Sequence, residues 1–325
     1  MSMQKEYEML RQVSRTFAIS IEYLPTILRD TITLGYLLFR VSDCIEDHAE
    51  LPVAEKVQLL RLWAQILDGE RPVAALHERL ARLDDNDAEV YVAQHADMVL
   101  VKLVMLPPIL QQIIREGTKA TALGMARWQA HGPYVETEAA LDDYMFEVAG
   151  RVGHLLTKVF AWYIPNLYDR HAELNTLACE FGLALQTINI IRGMRKDYER
   201  GWVFVPQAFY EDVGLTRDSF FDPANIDPAM QVVERLAIKA EQHLRNGLAY
   251  ILAIPRRYHH IRLACMWPLL FAAKTLAVSR NNPAVLLDET KITRSDVRGI
   301  IINTKLFGWS NHWLRCYYRR LKSSS

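Results

Sequence analysis

The chain has 325 residues, half of them apolar, and its 38 basic and 38 acidic side chains cancel. That length can bury a large core, and the zero net charge excludes the broad basic footprint of a nucleic-acid binder. Four cysteines, at 44, 179, 265 and 316, show neither C-x-x-C nor Cys/His ligand spacing, which excludes a disulfide scaffold and a zinc site and fits a reduced, cytoplasmic setting.

The N-terminal MSMQKEYEML lacks the charged-then-apolar run of a signal peptide, and no stretch of eighteen uncharged apolar residues occurs, so no membrane-spanning segment is expected. Apolar residues at spacings of three and four predict helices over 4–22, 28–48, 53–68, 87–115, 118–131, 137–163, 171–198, 228–253, 257–280 and 293–321. Breakers separate them: Pro25, Pro52, Pro72, Gly132 with Pro133, Pro165, Pro223 with Pro228, Pro255 and Pro283. With no strand ladder and no internal repeat, residues 1–325 read as one all-α domain, orthogonal or bundled. The longest non-helical stretch, 200–227, follows the 171–198 helix, where a loop of that length reads as a lid or binding loop.

Two of these helices carry acids in an apolar setting. Asp43 and Asp47 are four residues apart, with Glu46 beside them, so three carboxylates share one face after the run ITLGYLLFRV. Such a trio is either a solvated helix end or a set of hard oxygen ligands for magnesium that also holds substrate phosphate. In the 171–198 helix, Gln186, Asn189, Gly193 and Asp197 form a polar stripe among Leu183, Leu185, Ile188, Ile190 and Ile191. An inward polar stripe needs partners. Either these groups bond to neighbouring helices or, with the first cluster, they clamp a metal diphosphate at the top of an apolar cavity.

Four segments in order, S-R-T-F at 14–17, Y-L-L-F-R-V-S-D-C-I-E-D at 36–47, Y-x-x-x-V-A-G-x-V-G at 144–153 and L-Q-x-x-N-I-I-R at 185–192, resemble the squalene and phytoene synthase family. Gly201 followed by F-V-P-Q at 204–207, and CMWPLLFAAKTLAVSRNN at 265–282, look closer to the squalene synthases. The resemblance implies a single-domain class I isoprenoid synthase-like helical bundle with a central apolar cavity. It also implies head-to-head transfer between two prenyl diphosphates. In this family one allylic diphosphate ionises with the help of magnesium, and the double bond of a second captures the cation to give a cyclopropyl diphosphate. A second ionisation then ends in hydride capture from NADPH or in proton loss.

Carried over by position, the resemblance assigns magnesium to Asp43, Glu46 and Asp47 and, in the second motif, to Asn189 and Asp197. Arg40 and Arg192 match arginines that grip phosphate oxygens, as a planar guanidinium does well; Arg40 also reads as an intrahelical partner of Asp43 or Asp47. Ser14, Arg15, Phe17 and Gln186 fall at substrate-facing positions. Tyr36 and Tyr144 match cavity tyrosines whose ring faces can stabilise a carbocation, or they are core residues with satisfied hydroxyls. Val148, Ala149, Gly150 and Gly153 would thin one cavity wall for a long isoprenoid, and small residues also serve close helix packing. Lys291 and Arg294 match a segment that supplies basic contacts to NADPH, although no G-x-G-x-x-G fingerprint is present.

The second motif departs from pattern. Family members read R-D-x-x-E-D where this chain has Arg192, Gly193, Met194, Arg195, Lys196 and Asp197. Three readings compete: Arg195 or Lys196 supplies positive charge for a lost metal, only part of the two-step reaction survives, or the site binds prenyl diphosphate without catalysis.

The C-terminal LFGWSNHWLRCYYRRLKSSS interleaves Trp309, Trp313, Tyr317 and Tyr318 with Arg315, Arg319, Arg320 and Lys322. It reads either as a peripheral contact with an anionic membrane or as a terminal helix packed on the body with its basic side in solvent. A monomer is expected.

Overall fold

The computed structural model describes residues 3–323, except for the side chains of Arg15, Tyr168 and Ser323. The fold is all-α: among the described residues the only extended pairing is an isolated parallel bridge between Tyr134 and Val203. The helices are α1 (Gln4–Val13), α2 (Arg15–Glu22), α3 (Thr26–Asp47), α4 (Val53–Leu67), α5 (Ala74–Leu80), α6 (Ala88–Gln94), α7 (Ala96–Leu103), α8 (Pro108–His131) and α9 (Glu138–Met145). They continue with α10 (Arg151–Tyr163), α11 (His171–Glu199), α12 (Gln207–Glu211), α13 (Arg217–Phe220), α14 (Ile226–Ala253), α15 (His259–Ser279), α16 (Arg294–Phe307) and α17 (Asn311–Ser323). The chain divides into two compact units, Met1–Gly132 with His154–His171, and Pro133–Gly153 with Ala172–Ser325.

In the first unit α3 is the central helix and touches α1, α4, α6, α7 and α8. Leu28, Leu34, Leu37, Leu38, Val41 and Ile45 are fully buried, each contributing roughly 1.5–3 kcal/mol of transfer free energy. At Gly35 a β-carbon would stand 2.7 Å from Ile114 Cδ1, so glycine lets α8 close on α3.

In the second unit α15 is the core helix, with α14, α16 and α17 packed on it. Arg262 is completely buried and donates to the Ile254 carbonyl at 2.9 Å and to Asn311 Oδ1 at 2.7 Å, tying the end of α14 and the start of α17 to α15. Trp267 Nε1 donates to Thr304 Oγ1 at 2.8 Å and fixes α16 in the same way. By length and composition α11 and α15 could each cross a bilayer, but 83% of the apolar window of α15 is buried inside the protein and serves this core.

Several boundaries differ from those expected. The 4–22 segment breaks at Ser14, which turns extended and accepts a hydrogen bond from the Phe17 amide as the cap of α2. The 87–115 segment breaks at His95 and again before Pro108, which opens α8 at a position where its missing N–H costs nothing. The break expected between 115 and 118 is absent, because Gly117 lies inside α8 with Leu155 pressed against it. Helix α5 was not anticipated, and 293–321 divides at Gly308–Ser310 into α16 and α17. The 200–227 stretch is not an open loop. It contains α12, α13 and a 3-10 turn, and its start is pinned by Val203 N to Pro133 O, Gln207 N to Val135 O and Ala208 N to Glu136 O.

Helix α11 lies so close to the π-helical turn Phe146–Gly150 and the start of α10 that a β-carbon on Gly153 would meet the Ala178 carbonyl oxygen at 2.2 Å, and one on Gly182 the Ala149 oxygen at 2.3 Å. At Gly193 it would meet only Asp197 Oδ2, at 3.8 Å. Gly153→Ala is therefore expected to destabilise the fold by roughly 1–3 kcal/mol or more. Gly193→Ala should stabilise it by about 1 kcal/mol, the helix-interior difference. Urea midpoints measure both, and a loss of stability in Gly193→Ala would mean that packing, not an open site, holds this glycine.

Candidate functional site

The last two turns of α3 carry the first cluster. Arg40 Nη2 donates to the Tyr36 hydroxyl at 2.8 Å, and its guanidinium lies 5.5 Å from the Tyr36 ring centroid. Arg40 Nη1 is 3.1 Å from Glu89 Oε1 on α6 and 3.4 Å from Asp43 Oδ2. The Tyr36 ring is also tilted against Phe17 of α2 at 5.8 Å. One guanidinium thus gathers an aromatic pair and two acids, while its buried Nε has no hydrogen-bond partner.

Burial pushes the Asp43 carboxyl up to about 6, with Arg40 pulling against it and Asp47 and Glu89 adding repulsion. Burial raises Glu46 further, to about 8, reinforced by Asp47 and Asp43 and opposed by a hydrogen bond from Gln129 and the charge of Lys56. Glu89 is raised for the same leading reason. Arg40 is held firmly protonated: burial alone would lower it, but Asp43, Tyr36 and Glu89 outweigh that. Asp43, Glu46 and Glu89, with Asp47 beside them, outnumber Arg40 and Lys56 and resist ionising together, and a further positive charge would relieve them.

Among the described residues no three His, Cys, Asp or Glu side chains converge as a ready cation cage. The donors on α3 are all carboxylate oxygens on adjacent turns. They fit a hard cation such as magnesium, which is held by one or two carboxylates and completed by water and substrate phosphates.

In the second unit, α11 carries the polar stripe. Asn189 is exposed, and Gln186, Arg192 and Asp197 are half-buried. Asp197 accepts from Arg200, one turn on. Lys196 Nζ lies 2.8 Å and Lys291 Nζ 2.7 Å from Glu289 Oε2, and Arg192 Nε lies 3.2 Å from Glu289 Oε1. The Glu289 side chain is only 12% exposed. Burial works against its ionisation, but the hydrogen bonds from Lys196 and Lys291 and the charge of Arg192 keep its carboxyl below the usual range. Arg195 turns elsewhere, donating to Glu199 at 2.8 Å and lying over the Tyr198 ring. Arg294 is exposed at the first position of α16.

Tyr144 is buried at the end of α9 and stacks on Phe204 at 4.5 Å, which in turn stacks on Trp202 at 5.5 Å. The π-helical turn follows at once, with Val148 half-buried and Gly150 buried. A π turn widens the helix locally and is common at functional sites. Here Gly150 leaves room for Cys179 and Leu183 of α11.

The structure therefore brings Phe17, Tyr36, Arg40 and Asp43 together, with Glu46 and Asp47 on the adjoining turn. Separately, it joins Arg192 to Lys291. Ser14 acts through its capping bond, and the side chain of Arg15 lies outside the described residues. Glu89, Gln129, Phe204 and Glu289 were not identified from sequence. Each is a lone polar or aromatic residue whose partner lies far along the chain; the one available signal was Phe204, inside the F-V-P-Q segment.

A profile of the family described as squalene/phytoene synthase matches residues 10–296. The squalene synthase of Schizosaccharomyces pombe is 27% identical over 306 residues, which is 92% of this chain and 64% of that protein. The Botryococcus squalene synthase of Botryococcus braunii is 29% identical, covering 91% of this chain and 62% of its own length. Lycopaoctaene synthase from the same organism is 28% identical, covering 92% and 65%. The chain thus spans less than two thirds of the length of these relatives. Among solved structures, TcSQS in complex with the ligand BPH1237 superposes with a TM-score of 0.82 at 26% identity, over 99% of this chain and 92% of that one. A dehydrosqualene synthase in complex with ligand shares the fold, with a TM-score of 0.61 at 17% identity over 97% and 98% of the two chains.

The raised carboxyls of Asp43 and Glu46 set a pH dependence. Between the ordinary carboxyl range near about 4 and the folded values of about 6 and about 8, the folded chain binds protons that the unfolded chain has lost. Stability contributed by these groups therefore falls as pH rises through that window. Magnesium binds the ionised form and is expected to raise the melting temperature more above pH ~8 than below pH ~6. Asp43→Asn with Glu46→Gln should remove the difference. An equal magnesium effect at both pH values in the unaltered chain would rule the cluster out as the ligand set.

Proposed function

The chain belongs to the squalene/phytoene synthase family, and from that premise we propose that it is a magnesium-dependent prenyltransferase joining two allylic prenyl diphosphates head to head. The substrate we assign is farnesyl diphosphate, carried through a cyclopropyl diphosphate intermediate to squalene or a related C30 product. We take residues 1–325 as one catalytic domain. The observation that carries this reading is the Arg40 cluster, a guanidinium, two aromatic rings and a carboxylate trio at the positions of the family's first acidic motif.

Asp43, Glu46 and Asp47 are the residues that would hold magnesium from α3, and Asn189 and Asp197 those that would do so from α11. Bound magnesium supplies charge neutralisation for a departing diphosphate. Arg40 keeps its proton throughout and offers phosphate oxygens donors already fixed by Tyr36 and Glu89, so little reorganisation is needed. Tyr36, tilted against Phe17, and separately Tyr144, stacked on Phe204, are assigned as rings whose faces would stabilise a carbocation, and they carry no strong nucleophile to quench it. Of the two residues expected to meet NADPH phosphate, we assign Arg294 to it, whereas Lys291, paired with Glu289, lies with the cations of α11. Relatives at similar identity carry the names of different products, squalene and lycopaoctaene, so identity at this level does not select the product.

A second reading, altered prenyl chemistry or binding without turnover, is favoured by one observation. Gly193 leaves the second motif without its first acid, and Lys196 fills the place of another. Mass spectrometry of products from farnesyl diphosphate and magnesium, with and without NADPH, separates the two. Squalene or another C30 product is expected, and Asp43→Asn should reduce its formation about 10²–10³-fold, as loss of one preorganised electrostatic group does. Product from Gly193→Asp but not from the unaltered chain would establish the second reading instead.

A C30 product is nearly insoluble in water, and we assign its exit to a bilayer surface. Ile302, Leu306, Phe307 and Trp309 are all exposed, and Phe307 leads into a stack with Trp313 and Tyr317. Leu314 and Tyr318 pack inward, so α17 is docked on the body while this row faces out. Eight basic residues and one acid lie between 291 and 322 in a chain of zero net charge, which suits anionic headgroups. Flotation with anionic vesicles is expected to carry the protein at low salt. Replacing Leu306, Phe307 and Trp309 together by serine should abolish flotation without changing the circular dichroism. Equal flotation with zwitterionic vesicles would reject the electrostatic part.

A further inference from the structure

The family's second acidic motif places carboxylates where this chain has Gly193 and Lys196, and the structure shows what accompanies that exchange. Lys196 lies one helical turn beyond Arg192, so both side chains leave the same face of α11. Glu289, from the connection that precedes α16, meets both, and Lys291 meets the same carboxylate oxygen as Lys196. Three cations around Glu289, with Asp288 also acting on Lys196, leave a positive excess. The cations also remain open to a ligand, since the side chains of Arg192, Lys196 and Lys291 are 40%, 56% and 66% exposed while Glu289 is nearly covered. Arg195, the other added cation, is turned away toward Glu199 and Tyr198 and cannot join them without giving up both contacts.

We propose that Lys196 is a phosphate-binding cation that supplies, on α11, the positive charge a metal held by the missing acids would bring, and that Glu289 is the positioning residue that gathers Lys196 with Arg192 and Lys291. The ligand class is a diphosphate, and the assignment rests on the prenyl diphosphate reading above. The physical logic is direct. Three like charges placed this close repel one another and would disperse into solvent. A shared carboxylate holds their donors within one small region and still leaves net positive charge there for an anion. With glutamate at 196, Glu289 would face a like charge.

The test is calorimetric titration of the full chain with inorganic pyrophosphate, with and without magnesium. The unaltered protein is expected to bind pyrophosphate measurably in the absence of magnesium. Lys196→Met should weaken that binding by about tenfold or more, the size of one charged hydrogen bond. Glu289→Gln, which keeps every cation but releases them, should weaken it about three- to tenfold; unchanged or tighter binding denies Glu289 the positioning role. The exchange Lys196→Glu with Glu289→Lys reverses that one ion pair and removes the cation from α11, while the lysine introduced at 289 then faces Arg192 and Lys291 as a like charge. It should still bind pyrophosphate as poorly as Lys196→Met, with the fold checked by circular dichroism. Wild-type affinity in the exchanged protein, or in Lys196→Met, would mean that the pair is structural only and overturns the inference, leaving the proposed reaction standing. Failure of the unaltered chain to bind pyrophosphate under either condition would overturn both.

Discussion

Three carboxyls held near one guanidinium on and beside a buried helix are the constraint on which the rest of the candidate site depends. Asp43, Glu46 and Asp47 end a helix whose preceding turns are almost wholly apolar; Asp43 and Glu46 are half-buried there and Asp47 is exposed, so their mutual repulsion costs most at the two half-buried groups. Arg40 offsets part of it through Asp43 and Glu89 and Lys56 offsets part of it at Glu46, but two cations do not satisfy four acids. The remaining imbalance is expressed as carboxyls that hold their protons far longer than usual. A site in this condition has affinity for positive charge built into it before any ligand arrives.

The second acid-bearing helix solves a different electrostatic problem. Loss of an acid at 193 and gain of a lysine at 196 reverse the local charge, and left alone the new cations would repel Arg192. Glu289 meets that repulsion from a separate part of the chain, pairing with cations that stay exposed to solvent. Gly193 itself is not required by packing, because only Asp197 lies within reach of an added β-carbon. Gly153 and Gly182 are the contrary case, where backbone carbonyls stand against the glycines and allow α11 to approach. The same residue type therefore marks an open site in one place and a close helix contact in the other.

Charge and apolar surface are also divided unevenly along the chain. The whole molecule is neutral, yet the final helices carry a strong basic excess beside exposed aromatic and aliphatic side chains. By contrast α15, one of two helices among the described residues long and apolar enough to cross a bilayer, is consumed in the core, with even its arginine buried and both its terminal nitrogens donating to protein partners. Apolar composition alone does not say which of these roles a helix takes; the contacts on all its faces do.

Local periodicity was enough to read the all-α fold, because a helix buries one face at intervals of three and four and that pattern is written in consecutive residues. It was also enough to put Asp43, Glu46 and Asp47 on one face, and Gln186, Asn189, Gly193 and Asp197 on another, since i to i+4 neighbours are fixed by helix geometry. Breaks were less legible: Ser14 ends one helix and caps the next through a single hydroxyl, and Gly117 passes through a helix interior because Leu155 packs on it. Only the tertiary structure decided the partners, Glu89 for Arg40, Gln129 for Glu46, Phe204 for Tyr144, and Glu289 for Lys196 across 93 residues. Such pairs depend on how distant helices are brought together, which leaves no periodic trace in the local sequence, and they set the charge and shape that any ligand would meet.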